Sequence, residues 1–268
     1  MFGVIGNPIA HSLSPLIHNS LFAHFSLQEH YEKFLLLDSK DFPSLLSKLK
    51  GANVTLPYKE AVMQYCDEVV GIAKEIGAIN TLYHKEGRWR GYNTDAEGFY
   101  LCLEGREIKN ALILGAGGSA RAVSAILQKH NIPVSMLNRS AHKISTFSGV
   151  SPYERGAKYD LVINATSAGL QGELPLEISH LQEIFSSATL TFDLIYPSSL
   201  SVKTLEDFLQ FLYKREDTLF CSFSKKCKIP TIDGLDMLCY QAFLAFEIFC
   251  ENAYSFEEIK QVFYPKDR

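Results

Sequence analysis

Short apolar runs alternate with helical repeats along most of this chain. The run Phe2-Gly3-Val4-Ile5-Gly6 predicts a strand, and Ile17, Leu21 and Phe25 then recur at i, i+4, i+8, the spacing of one helical face. Strands are predicted at 34–37, 52–55 and 81–83, with helices near 42–49 and 60–65 between them. That alternation predicts an α/β unit with its own sheet. A linking helix over 95–103 leads into Ala111–Leu114, Val134–Leu137, Leu161–Asn164 and 190–194, apolar runs that read as strands buried on both faces. A helix is predicted at 202–212, and the chain closes in helical sequence at 235–249 and Phe256–Phe263. In the first of these closing helices Met237, Leu244 and Ile248 form the predicted inward stripe, and Gln241 falls on the same face.

At 268 residues the chain is long enough for two domains. With 47% hydrophobic and 21% charged residues it is a folded globular sequence, not a disordered one. The net charge of −4 argues against a general polyanion binder, so no nucleic-acid partner is expected. The basic run Lys225-Lys226-Cys227-Lys228 is read as a solvated loop. Six cysteines (Cys66, Cys102, Cys221, Cys227, Cys239 and Cys250) form no C-x-x-C pair and no His/Cys zinc spacing. Reduced thiols and no metal site are expected. No basic leader precedes Met1-Phe2-Gly3, and Glu247 interrupts the longest late apolar run. These readings predict a cytoplasmic protein with no membrane partner.

Chemistry is most legible where the strand Ala111-Leu112-Ile113-Leu114 runs into Gly115-Ala116-Gly117-Gly118-Ser119-Ala120, a G-x-G-x-x-A turn opening a helix. Gly115 permits the tight turn, Gly117 lets backbone N–H groups approach a pyrophosphate, and Ala120 lets the helix lie close on the sheet. The next strand ends in Asn138-Arg139-Ser140, where an NAD-preferring site carries an acid for the ribose hydroxyls. An arginine there suits a 2′-phosphate, so the expected cofactor is NADP(H). The alternative is a structural glycine turn with a surface arginine.

The expected fold class is α/β: an N-terminal α/β substrate domain over 1–98, a Rossmann-type doubly wound parallel-sheet NADP domain over 99–232, and C-terminal helices over 233–268 returning to the substrate domain. Ser12 and Ser14 precede a helix with Pro15 at its first position, which makes either a small anion site or ordinary capping by Ser14. Pro57 is read as starting a helix with Lys59 in its first turn, where a cation opposes the helix dipole; a surface lysine is the alternative. Asp95 begins the linking helix, as partner for the lysine or as N-cap. Asn80 is a turn residue or a hydroxyl-binding group, and the amide of Gln241 needs either a ligand or a backbone or water partner.

Taken together, 6–15, 53–59, 77–81, 91–95, the glycine turn, 138–140, Asn164-Ala165-Thr166-Ser167-Ala168-Gly169 and 233–241 resemble the shikimate dehydrogenase family, in that family's order and over nearly the whole chain. The resemblance implies reversible NADP-dependent interconversion of 3-dehydroshikimate and shikimate in aromatic amino-acid biosynthesis; for assembly, a monomer or homodimer is expected. It implies that Ser12 and Ser14 hold the substrate carboxylate and that Thr55, Asn80, Asp95, Tyr196 and Gln241 contact the ring hydroxyls. Lys59 is implied as catalytic acid/base, working beside Asp95. On the cofactor side, Gly115, Ala116, Gly117, Gly118, Ser119 and Ala120 are implied at the pyrophosphate, with Thr166 nearby. Asn138, Arg139, Ser140 and Lys143 are implied at the 2′-phosphate, and Leu194 and Gly234 beside the nicotinamide. The sequence departs from the family in two places. The usual Y-x-P-x-x-T pattern is replaced by Tyr196-Pro197-Ser198-Ser199, and the stretch from Tyr196 to Gly234 is longer than usual. A quinate/shikimate dehydrogenase and a non-catalytic NADP(H)-binding sensor are the alternatives; retention of both Lys59 and Asp95 argues against the sensor.

Overall fold

Five residues without a polar side chain, buried throughout, make β1 (Phe2–Gly6) an inner strand of a first sheet. In chain order there follow α1 (Ser14–His24), β2 (Tyr31–Leu35), α2 (Phe42–Leu46), β3 (Gly51–Val54), β4 (Glu68–Val69), α3 (Ala73–Ile76), β5 (Thr81–Lys85), β6 (Arg88–Tyr92) and α4 (Thr94–Leu101). The computed structural model describes residues 1–197 and 201–265. The sheet runs β2-β1-β3-β5-β6-β4. Parallel pairing of β1 with β2 and β3 gives way to the antiparallel hairpin β5–β6, whose two-residue turn has Glu86 and Gly87 at positive φ. Ile5, Ala52, Val54 and Leu82 pack beneath Phe42, Leu46 and Val62 in one core. The strands β4 and β6 escape an apolar-pattern reading because they carry Glu68, Arg88 and Arg90.

The second sheet comprises β7 (Ala111–Leu114), β8 (Val134–Leu137), β9 (Val150–Pro152), β10 (Leu161–Asn164), β11 (Leu190–Asp193) and β12 (Thr231–Ile232). Among these strands lie α5 (Gly118–Lys129), α6 (Ile178–Phe185), α7 (Leu205–Lys214) and α8 (Leu219–Lys226); α9 (Gly234–Phe249) and α10 (Phe256–Phe263) follow. All its pairs are parallel, in the order β12-β11-β10-β7-β8-β9. The strand order reverses between β7 and β10, which makes it the doubly wound Rossmann arrangement, with its ligand-binding switch point at the carboxyl ends of those two strands.

The described chain divides into two units, one of Met1–Gly98, 201–214 and 239–265, the other of Phe99–Pro197 and Arg215–Leu238. Two expected boundaries are corrected. The helix α7 belongs to the first unit, because Phe208 packs edge-on against Phe263 at 5.8 Å and the Tyr213 hydroxyl donates to the Phe263 carbonyl. Residues 233–238 stay with the second, where the Gly234 amide donates to Ile195 O at 3.0 Å. Ser198 and Ser199, part of the departure noted above, lie outside the described residues. Lys225 and Lys226 form the last turn of α8 and not a loop, cations favoured by the helix dipole at that end.

The inward stripe of α9 also differs from the expected one. Its buried hydrophobic residues are Leu235, Cys239, Ala242, Phe243, Ala245, Phe246 and Phe249, while Met237, Leu244 and Ile248 are half-buried. The aromatic rings decide the face: Phe246 packs on Phe22 at 5.2 Å and Phe249 on Phe2 at 4.7 Å. Among the described residues no helix is long and apolar enough to cross a membrane.

The same core holds His18, fully buried on α1 and stacked on Tyr31 at 4.3 Å. Burial pushes its imidazole down to about 3, with Asn53 opposing. The folded state therefore keeps this ring neutral where the unfolded chain protonates it. Stability from His18 is present above about pH 6.5 and drains away as pH falls towards 3, at up to about 1.4 kcal/mol per pH unit. Thermal midpoints of His18→Phe should fall less steeply with acid than those of the wild type between pH 6.5 and 4. Parallel curves would remove His18 as the acid-labile group.

Candidate active site

Lys59 and Asp95 meet. The lysine Nζ donates to Asp95 Oδ2 at 2.6 Å, and the side chains are 28% and 17% exposed. Partial removal from water strengthens their attraction over that of a surface pair. The route to this contact differs from the expected one. Lys59 lies in an irregular turn after β3, and its carbonyl accepts from the Ile79 amide at 2.8 Å, so it cannot begin a helix. Five residues of 3-10 helix start only at Ala61. Nor is Asp95 an N-cap. Asn93 Oδ1 accepts from the Ala96 amide at 3.1 Å, which leaves Asp95, in the first turn of α4, free to face the lysine.

Next to this pair sits a buried amide network. Asn80 Nδ2 donates to Thr94 Oγ1 at 2.9 Å and to Gln241 Oε1 at 3.3 Å, and Asn80 Oδ1 accepts from the Thr94 amide at 2.7 Å. Gln241 reaches Asn80 because Gly98 of α4 has no side chain, and a Cβ there would lie 2.8 Å from the Gln241 nitrogen. Asn53 and Thr81, not anticipated as site residues, support Asn80 from below: Asn53 Nδ2 donates to Thr81 Oγ1 at 3.0 Å, and Thr81 Oγ1 donates to Asn80 Oδ1 at 3.1 Å. Their signal in the sequence was a polar residue inside an otherwise apolar strand. Thr55 is half-buried in the same turn as Lys59, its carbonyl accepting from the Tyr58 amide at 3.0 Å.

Ser12 and Ser14 come together at the start of α1, where Ser12 Oγ accepts from the Ser14 amide at 3.3 Å. The expectation that Ser14 caps the helix is corrected. Leu13 is the N-cap, its carbonyl taking the amides of Leu16 and Ile17, and no side chain caps the helix. The two hydroxyls thus stand together at a helix start whose own amides are already bonded, Ser14 to Ser12 and Leu16 and Ile17 to Leu13, Pro15 having none to offer. Of the residues implied at the ring hydroxyls, Tyr196 alone belongs to the second unit, half-buried after β11.

In the second unit the glycine turn joins β7 to α5 at the switch point. Gly115 has φ +105, and a Cβ there would lie 3.1 Å from the Ala165 carbonyl and the Thr166 methyl, so the turn requires glycine twice over. A Cβ on Gly117 or Gly118 would meet nothing within 4 Å, both residues are exposed, and no side chain caps α5. Those exposed amides fit a pyrophosphate. Thr166 is fixed beside them by Asn164, whose Oδ1 accepts from its hydroxyl at 2.7 Å and its amide at 3.1 Å. After β8, Arg139 and Lys143 are exposed, and Asn138 Nδ2 donates to Ser140 O at 3.0 Å, shaping the turn that presents them. Two exposed cations beyond the second strand suit a phosphorylated ribose. At the far edge, a Cβ on Gly234 would lie 2.3 Å from Leu194 O, so these two backbones touch. The residues present fit a dinucleotide.

Residues 4–82 match the model of the shikimate dehydrogenase substrate binding domain. The NADP(+) shikimate dehydrogenase of Helicobacter pylori (strain ATCC 700392 / 26695) is 45% identical, over 98% of each chain. That of Helicobacter hepaticus is 42% identical over 95% of this chain and 92% of its own. Among solved structures, the shikimate 5-dehydrogenase of Thermus thermophilus in complex with NADP(H) and shikimate superposes with a TM-score of 0.78, 28% identity and 98% coverage of both chains. The Aquifex aeolicus enzyme gives 0.79 at 29% identity, covering 97% of this chain and 96% of that one. With the Rossmann sheet and the lysine–aspartate contact in place, these likenesses settle the relationship: the chain belongs to the shikimate dehydrogenase family.

Proposed function

We propose that the first unit binds shikimate or 3-dehydroshikimate, that the second binds NADP(H), and that Lys59 with Asp95 moves the proton in their reversible interconversion. The observation that carries this reading is the 2.6 Å contact of Lys59 with Asp95, beside the Asn80–Gln241 network. NADPH, when bound, supplies the hydride.

Addition of hydride to the ketone carbon leaves negative charge on its oxygen. Lys59, in its ammonium form, stabilises that charge and donates the proton that makes the hydroxyl; in the other direction the neutral amine takes the proton back. Asp95 holds the amine in place and offsets its charge. Thr55, Asn80 and Gln241 orient the ring through its hydroxyls. The hydrogen bond between Asn80 and Gln241 fixes the amide directions before substrate arrives, which lowers the cost of ordering. Ser12 and Ser14 take the carboxylate at the start of α1. In the second unit Gly115–Ser119 hold the pyrophosphate, and Asn138–Lys143 hold the 2′-phosphate.

Absorbance of reduced nicotinamide, followed with shikimate and NADP+, tests the reading directly. Turnover with shikimate is expected, and cofactor binding without turnover on shikimate would leave only a nucleotide sensor. Quinate, offered in the same assay, reports whether the saturated ring acid is also accepted. A cytoplasmic location belongs to the same proposal, supported by six free cysteines. So does a monomer or homodimer, which sedimentation reads directly.

A further inference from the structure

The stretch between Tyr196 and Gly234 has no role in the chemistry above, yet two of its residues reach into the second unit's nucleotide side. Asp193 closes β11 and is fully buried. Its Oδ1 accepts from Asn164 Nδ2 at 3.0 Å and from the Ile195 amide at 3.2 Å, and its Oδ2 accepts from the Thr218 hydroxyl at 2.7 Å. Thr218 is the N-cap of α8, and its oxygen takes the Cys221 amide at 3.1 Å. One carboxylate therefore ties together the ends of β10 and β11 and the start of α8. Through Asn164 the same network reaches Thr166.

A second carboxylate works on the facing turn. Arg215 grips Asp233 with two bonds, Nε to Oδ2 at 2.6 Å and Nη2 to Oδ1 at 3.0 Å, and Asp233 Oδ1 also takes the Leu235 amide at 2.9 Å. The two turns meet where the Gly234 amide donates to Ile195 O and where Gly234 has no room for a Cβ against Leu194. Packing alone does not call for this construction. Burial pushes the Asp193 carboxyl up to about 6, against the pull of Thr218, Ile195 and Asn164, so its ionised form costs stability that an apolar side chain would not. What the charge provides is direction, since three donors from three elements are aimed at one point.

We infer that Thr218 and Arg215 are positioning residues that, through Asp193 and Asp233, hold the Leu194–Gly234 backbone contact in the register the nicotinamide end of the nucleotide requires. The inference rests on the reading of the second unit as the NADP(H) unit. It gives the long segment a role, since that segment supplies, from outside the sheet, the two groups that lock the turns after β11 and β12.

Thr218→Val keeps the shape and removes the donated proton, Thr218→Ser keeps the hydroxyl, and Arg215→Met keeps the apolar stem without the fork. Turnover with shikimate and NADP+ and the Kd of NADPH, read by nicotinamide fluorescence, are measured for each variant. The valine and methionine variants should lose about tenfold or more in kcat with Kd within about threefold, because a misplaced reacting group costs rate while the adenosine end stays held. The serine variant should keep kcat within about twofold. Native kcat in Thr218→Val, equal losses in the serine and valine variants, or losses of kcat and affinity in step would each overturn the inference. Wild-type protein that binds NADPH but does not turn over shikimate would overturn the functional reading itself, and is distinguished by being measured first.

Discussion

Replacing Lys59 with alanine should lower kcat by about 10³-fold, the middle of the range for removing a positioned acid/base, with KM for shikimate changed by less than about fivefold. The asymmetry follows from the geometry. In the proposed binding mode the ring is held by residues other than Lys59: Asn80 is fixed by Thr94 and by its bond to Gln241, and Ser12 and Ser14 stand on a different element. Removing the ammonium leaves those contacts in place and takes away the charge and the proton that matter once hydride adds to the ketone carbon. The substitution also leaves Asp95, 17% exposed, without its 2.6 Å partner. Asp95→Asn is therefore expected to lose less than Lys59→Ala, since the amine remains but is no longer held. Steady-state kinetics on both variants check this. A Lys59→Ala enzyme with near-native kcat removes the lysine from the proton step, and one with native kcat but greatly raised KM makes it a binding residue only.

The other large effect is on cofactor choice. Arg139→Ala should raise the Kd of NADPH by about 10–100-fold, the loss of one or two charge-assisted hydrogen bonds, while that of NADH moves by less than about threefold. The 2′-phosphate is the only group that differs between the two nucleotides, and the exposed guanidinium after β8 lies where that ribose is expected. Lys143, one turn of 3-10 helix further on, retains part of the attraction, so the double variant should lose more than the single. Parallel titrations with both nucleotides decide the matter. Equal losses for NADPH and NADH would place Arg139 in the general fold of the turn and not at the phosphate.

The parts of this molecule that could be read from residues alone are those where one physical requirement dominates. The strands β7, β10 and β11 of the second sheet are buried throughout, so their sequences are predominantly apolar, and the turn after β7 tolerates only glycine at Gly115. The two amides of the candidate site stand out in the sequence because Asn80 and Gln241 interrupt otherwise apolar runs. Reading failed where tertiary partners decide. The helix expected at Lys59 does not form because its carbonyl is taken by Ile79, a partner twenty residues away. The buried face of α9 is set by Phe2 and Phe22, which lie more than two hundred residues earlier. The β6 strand hides behind two arginines, and the pull of α7 towards the first unit depends on Phe263. The Asp193 hub joins three separate stretches of chain, and no local pattern announces it.

A crystal structure of this chain with shikimate and NADP+ bound tests the central assignment most directly. The hydroxyl that is oxidised should lie within hydrogen-bonding distance of Lys59 Nζ, about 3 Å, with Asp95 still against the lysine and the ring carboxylate on Ser12 and Ser14. A reversed ring, with its carboxylate on Lys59 and the reacting hydroxyl at the serines, would contradict it.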